Sequence, residues 1–136
     1  MSEYVYAPYL ELNLLTKFAI AVDYDNTISL SPSIFAAHLP KLAKDLSLKL
    51  IVATSRTGTA DDIKVFEQAG LIGDNAWVDD VIWCGRHWKI DVCEKAGYVV
   101  LFWVDDQPEG CKRGGILWAR IVGAYKWLVK KWSSVI

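Results

Sequence analysis

Four stretches of this chain are apolar almost from end to end, and that continuity limits its fold more than any other feature. They are Phe18–Val22, Leu48–Ala53, Val78–Cys84 (interrupted by Asp79 and Asp80) and Tyr98–Val104. A strand with one wet face alternates apolar and polar residues, whereas a strand covered on both faces does not. Between the runs lie segments that read as helices, Ser33–Leu46, Ala60–Gly70 and His87–Gly97, with Gly70 and Gly97 placed where helix C-caps are expected. A fifth run, Ile116–Val122, is weaker, and Ala124–Trp132 carries Tyr125, Leu128, Val129 and Trp132 at helical spacing. Strands alternating with helices predict an α/β fold: three layers, Rossmann-like, around a central and mostly parallel five-stranded sheet.

The 136 residues suit a single domain over 1–136, with a core over about 17–123 and a C-terminal helix over about 124–133. Fifteen basic residues against sixteen acidic ones leave almost no net charge. A general attraction to nucleic acid or an anionic membrane is therefore not indicated. Cys84, Cys93 and Cys111 form neither a CxxC pair nor an even set, and read as reduced thiols in a cytoplasmic setting. The N-terminus shows no basic stretch leading into an apolar core, and no run reaches the ~18 residues of a membrane span. The Trp- and Lys-containing tail is expected to pack on the sheet; a membrane-surface helix is its other reading.

In open α/β sheets ligands bind beyond the carboxyl ends of the strands. Strand one ends in Asp23 and Asp25, strand two in Thr54, Ser55 and Arg56, and strand four in Asp105 and Asp106. The helix after strand three opens near Arg86, His87 and Lys89. Adjacent aspartates repel, so a bound cation is the natural counterweight. Carboxylates with a hydroxyl and a lysine describe a site for Mg2+ and a phosphate, since that ion takes a carboxylate or two, waters and substrate oxygens. A carboxylate can attack phosphorus, and a second one two residues on faces the same way in extended chain and can carry the proton. Thr54 can donate to a phosphoryl oxygen and Lys89 can offset its charge.

The run AVDYDNTI resembles the first motif of the haloacid dehalogenase (HAD) superfamily, an apolar strand followed by Asp-x-Asp-x-Thr. LIVATSR resembles its second motif, Lys89 its third-motif lysine, and LFWVDDQP its fourth, a strand ending in an acidic pair. The likeness covers about residues 18–110, in the family's order. It implies a phosphatase in which Asp23 is the nucleophile and Asp25 the general acid/base. Thr54 and Lys89 would bind phosphate, and Asp23, Asp105, Asp106 and the Asp25 main-chain carbonyl would hold Mg2+. Asn26 stands where the family usually has Gly, and Lys95 is an alternative to Lys89 that falls late in its helix. The gaps from Asp25 to Thr54 and from Thr54 to Lys89 leave no room for an inserted cap domain, so the resemblance is to a minimal, capless member. Such members act on exposed phosphates of large substrates or shield the site by homo-oligomerising.

Each residue also has a plainer reading. Asp23 and Asp25 alone would be a turn or capping pair, Thr54 a strand end, Asp105–Asp106 the start of a turn, and Lys89 a solvated helix residue. Ser55 and Arg56 read as turn and solvent residues, with Arg56 near enough to touch a substrate anion. Asp79 and Asp80 mark an irregular strand start, His87 a loop histidine, and Trp83 and Trp88 core residues that would otherwise suit a nucleobase. The position where a cysteine phosphatase carries arginine holds Ile90, Val99 and Leu117 after the three cysteines. No GxxxxGK[ST] or GxGxxG phosphate loop is present. The expected function is a Mg2+-dependent phosphomonoester hydrolase working through aspartyl-phosphate. Its substrate would be a nucleotide, a sugar phosphate or the phosphate end of a polynucleotide. The alternatives are a receiver-like phosphoacceptor domain and a non-catalytic phospho-ligand-binding module.

Overall fold

A computed structural model describes residues 17–107 together with Cys111. The expected fifth strand and C-terminal helix lie outside these residues. The chain runs β1 (Lys17–Val22), a short 3-10 turn (Ile28–Leu30), α1 (Pro32–Asp45), β2 (Lys49–Thr54), α2 (Ala60–Gln68), β3 (Asp80–Trp83), α3 (Lys89–Lys95) and β4 (Tyr98–Val104). Between β1 and β2 there is only the turn and one helix, and between β2 and β3 only α2.

All described strands are parallel, in the order β3-β2-β1-β4. The chain builds outward from β1 to β2 and β3, then returns through α3 to lay β4 on the other side of β1. β1 and β4 therefore flank the point where the strand order reverses, the place where open sheets of this kind bind ligands.

Side chains of successive strand residues divide into two cores. On one face Ile20, Val22, Leu50 and Val52 pack with Phe35, Leu39 and Ala43 of α1 and with Phe66 of α2. On the other, the small Ala19, Ala21 and Ala53 leave room for Cys93 of α3 and the rings of Tyr98 and Trp103. The result is three layers, helix over sheet over helix.

Helix ends follow their local chemistry. Thr59 and Asp62 form a reciprocal capping box at the start of α2. Gly70 and Gly97 take positive φ (76° and 93°) just beyond α2 and α3, as the sequence predicts. The third helix opens at Lys89 and not His87, because Trp88 has extended backbone at its N-cap. Asp79 and Asp80 do begin β3 irregularly: Asp79 accepts the Leu50 N–H at 2.8 Å, and Asp80 accepts from Tyr98 Oη at 2.9 Å.

The ladder between β1 and β4 breaks its register once. Ala19 pairs with Val100 but Ile20 with Phe102, so Leu101 is an extra residue, a bulge. Beyond it Val22 pairs with Val104, and the Asp23 N–H donates to the Val104 carbonyl at 2.8 Å.

The loop after β2 is also tightly set. Gly58 has φ 81°, and a Cβ there would meet the Trp83 ring at 3.0 Å. Trp83 cannot easily retreat, since its ring rests on fully buried Phe66 with centroids 4.8 Å apart. Gly58→Ala should therefore cost about 1–2 kcal/mol for the left-handed backbone alone, with more from the displaced indole. Denaturant unfolding of the variant checks this; an unchanged midpoint would mean the loop relaxes freely.

Candidate functional site

Because Val22 and Val104 are paired, the next residues, Asp23 and Asp105, leave the sheet side by side. Asp23 continues the Ala19–Ala21 face and Asp105 the Trp103 face, so both carboxylates project toward the α3 layer. There they meet Lys89, the first residue of α3. Its Nζ donates to Asp23 Oδ1 at 2.9 Å and to Asp105 Oδ2 at 2.7 Å. The three are almost sealed from solvent: relative exposures are 7% for Asp23, 7% for Lys89 and 2% for Asp105. Asp105 is held further by the Gln107 N–H at 2.9 Å and the Cys111 thiol at 3.1 Å.

Asp106 completes the cluster. One carboxylate oxygen from each of Asp23, Asp105 and Asp106 lies within 4.8 Å of the others. Three carboxylates against one ammonium leave two negative charges uncompensated when all are ionised. The charge shows in Asp23, whose pKa is pushed from 3.8 up to about 7, first by burial and then by the Asp105 carboxylate, against the pull of Lys89. Burial alone would lower the Lys89 ammonium, but Asp105 and Asp23 outweigh it and hold it above its ordinary value. An all-oxygen donor set with this charge fits a hard divalent cation. Lys89 leaves lone pairs on each carboxylate for it, as each oxygen accepts more than one bond.

On the opposite side of the strand ends lies a second set of charges. Asp25, carried out of extended geometry by the turn over Tyr24–Thr27, does not join the three-acid cluster and accepts Arg56 through both oxygens, from Nη2 at 2.8 Å and from Nε at 3.0 Å. Its carboxylate is not among the oxygens gathered within 4.8 Å, so any share of Asp25 in holding a cation rests on its main-chain carbonyl. Asn26 adopts φ 58°, the left-handed conformation that Asn tolerates, and its N–H donates to Ser29 Oγ.

The two sets face one cleft of about 230 Å3, lined by Asp23, Asp25, Asp105 and Asp106 with Lys89, Asn26, Ser55 and Gln107. Thr54, expected to bind phosphate, is fully buried and accepts the Arg56 N–H at 3.1 Å; Ser55, the next residue, lines the cleft in its place. Thr54 follows Leu50 and Val52 on the α1–α2 face, and strand alternation turns the following residue the other way. Lys95 sits at the far end of α3, away from the acids, among Arg86, Trp88 and Glu94.

Three of the plainer readings fail, the first that of Lys89 as a solvated helix residue, since it is buried between two acids. Arg56 is not a solvent residue; Trp88 is 40% exposed and not core. The signal for Arg56 is present in the T-A-D-D start of α2, where a capping box fixes an acid beside the preceding loop. No such signal marks Cys111, whose bond to Asp105 depends on the chain returning past the site.

Among the described residues no helix is long and apolar enough to cross a membrane. No family model matches the chain, and neither the curated proteins nor the solved structures contain a match.

The raised Asp23 pKa fixes the sign of a pH effect. Folded Asp23 binds its proton more tightly than the unfolded residue does, so without a cation its contribution to stability is fully present below about pH 4. It should fall as pH rises from about 4 through about 7. Thermal unfolding in chelator should show this decline in the wild type and a shallower one in Asp23→Asn; identical slopes would refute the assignment. Lys89→Ala strands two buried carboxylates and should cost about 3–5 kcal/mol at neutral pH, read from denaturant midpoints. A divalent cation should recover part of the loss.

Proposed function

We propose that this chain is a divalent-cation-dependent phosphomonoester hydrolase of the HAD type, in which Asp23 forms an aspartyl-phosphate. The observation that carries this reading is the meeting of Asp23, Lys89 and Asp105, brought from three separate parts of the chain into one cleft with Asp106 beside them. A structural ion pair needs one carboxylate per cation. Here two share one ammonium and a third stands beside them, at the reversal point of a parallel sheet.

A cation held by Asp23, Asp105, Asp106 and the Asp25 carbonyl, Mg2+ by preference, would draw off the carboxylates' repulsion and neutralise phosphate oxygens. The protein's own groups do the rest. Ionised Asp23 attacks phosphorus through one Oδ, and the bond from phosphorus to the ester oxygen breaks. Asp25 gives its proton to that leaving oxygen and then takes one from the water that hydrolyses the acyl phosphate. Lys89 sits against the attacking carboxylate and offsets the charge gathering on the phosphoryl oxygens. Ser55 lines the cleft and takes the phosphoryl contact expected of Thr54.

The cleft's volume of about 230 Å3 accommodates a phosphate head and little more. The rest of the substrate would lie outside it, in keeping with a capless enzyme acting on exposed phosphates. Nucleotides, sugar phosphates and polynucleotide ends are the classes to compare.

The test is hydrolysis of 4-nitrophenyl phosphate with and without Mg2+. The wild type should turn over and lose activity reversibly in chelator. Asp23→Asn should fall to background while remaining folded, and Asp25→Asn should fall by about 10²–10⁴-fold. Full activity in Asp23→Asn, or an inert wild type across a broad phosphate panel, would overturn the reading, the latter favouring a binding module.

A further inference from the structure

Arg56 is fixed at every point where an arginine is normally free. Its guanidinium grips Asp25 with two parallel bonds, 2.8 and 3.0 Å, and its other Nη donates to Asp62 Oδ1 at 3.0 Å. Asp62 is itself immobile: Oδ2 accepts the Gly58 and Thr59 N–H groups at 3.2 and 3.1 Å, and its own N–H donates to Thr59 Oγ1. The Arg56 N–H is tied to Thr54 Oγ1, and the guanidinium carbon lies 5.3 Å from the Tyr24 ring centroid and 6.0 Å from that of Phe66. An arginine meant to capture a substrate anion keeps its fork open toward the cleft; this one has committed it to two aspartates.

We propose that Arg56 is a positioning residue, which, locked by Asp62, holds the Asp25 carboxylate at the rim of the cleft in the orientation that proton transfer needs. The proposal rests on the phosphatase reading for the identity of the proton's destination, and on the Asp25–Arg56–Asp62 geometry for everything else. Bidentate pairing occupies one lone pair on each Asp25 oxygen and leaves the other for a proton. Asp25 has no comparable support of its own: its side chain is 49% exposed, and the surface would otherwise let it turn through several rotamers. Misplacement by about 1 Å can cost a catalytic group roughly 10²-fold, so the grip matters more for rate than for stability.

The role has a signature that a structural or substrate-binding arginine lacks. A proton donor is needed in proportion to the basicity of the leaving oxygen, so the effect of Arg56→Met should depend on the leaving group. Along phenyl, 4-nitrophenyl and 2,4-dinitrophenyl phosphate, kcat/KM, which reports the step that expels the leaving group, should fall about 10²-fold for the first and little for the last. Asp62→Asn should show the same gradient, weaker. A uniform loss of kcat/KM along the series would make the role structural, and a rise in KM with kcat unchanged would make Arg56 a substrate contact; either outcome overturns the proposal. A crystal structure of Arg56→Met adds a readout independent of turnover: Asp25 should be displaced or spread over rotamers while the Asp23–Lys89–Asp105 distances persist. An unmoved Asp25 refutes the grip. Should the wild type be inert on all three esters, the phosphatase reading fails, and this last arm alone decides whether Arg56 holds Asp25.

Discussion

A single ammonium shared by two buried carboxylates organises this structure. Lys89 cannot lie anywhere else on the α3 face: moved away, it would leave Asp23 and Asp105 facing one another in a region almost closed to water. The start of α3, the ends of β1 and β4 and the packing of three thin alanines beneath the helix are all consistent with that one placement. Stability by itself does not ask for it, since desolvating charges is costly and well-packed apolar groups serve a core at least as well. The acids left over beside that ammonium are a set that could hold a metal ion.

The strand ends divide the labour by face. Toward α3 lie the acids suited to a cation and the lysine between them; toward α2 lie Asp25, Arg56 and Asp62, on a shelf made by Tyr24 and Phe66. Strand alternation places Asp23 and Asp105 together, but Asp25 would share their side in extended chain; the turn over Tyr24–Thr27 is what carries it to Arg56 instead. The two aspartates of the Asp-x-Asp run thus sit in different surroundings, one buried and crowded by like charge, the other at the rim and matched by a guanidinium.

Much of this is legible in the sequence. Unalternating apolar runs announce strands covered on both faces, and Gly70 and Gly97 mark helix ends because left-handed backbone there suits glycine. Asp23, Lys89 and Asp105 are legible as a convergent set because parallel strands present their carboxyl ends together. What cannot be read depends on facts outside any local pattern. Thr54 gives way to Ser55 because the strand's phase at its end decides which residue faces the cleft. Arg56 reads as solvent because its partners are distant in sequence on one side and hidden in a capping motif on the other. Trp88 is exposed although composition favours burial, since an N-cap with extended backbone turns its ring outward from the helix it introduces.

The bulge at Leu101 carries a consequence for how β4 is held. Tyr98, Val100 and Trp103 all join the same core, although five residues separate the first from the last and simple alternation would put them on opposite sides. The surplus residue resets the phase, so both halves of the strand turn aromatic rings to the same core while staying paired with β1. What anchors the acid is the bond from the Asp23 N–H to the Val104 carbonyl, at the exit of the sheet. The strand is thus pinned twice, by Tyr98 before the bulge and by Val104 after it, and the surplus residue between the two lets each end keep its own register.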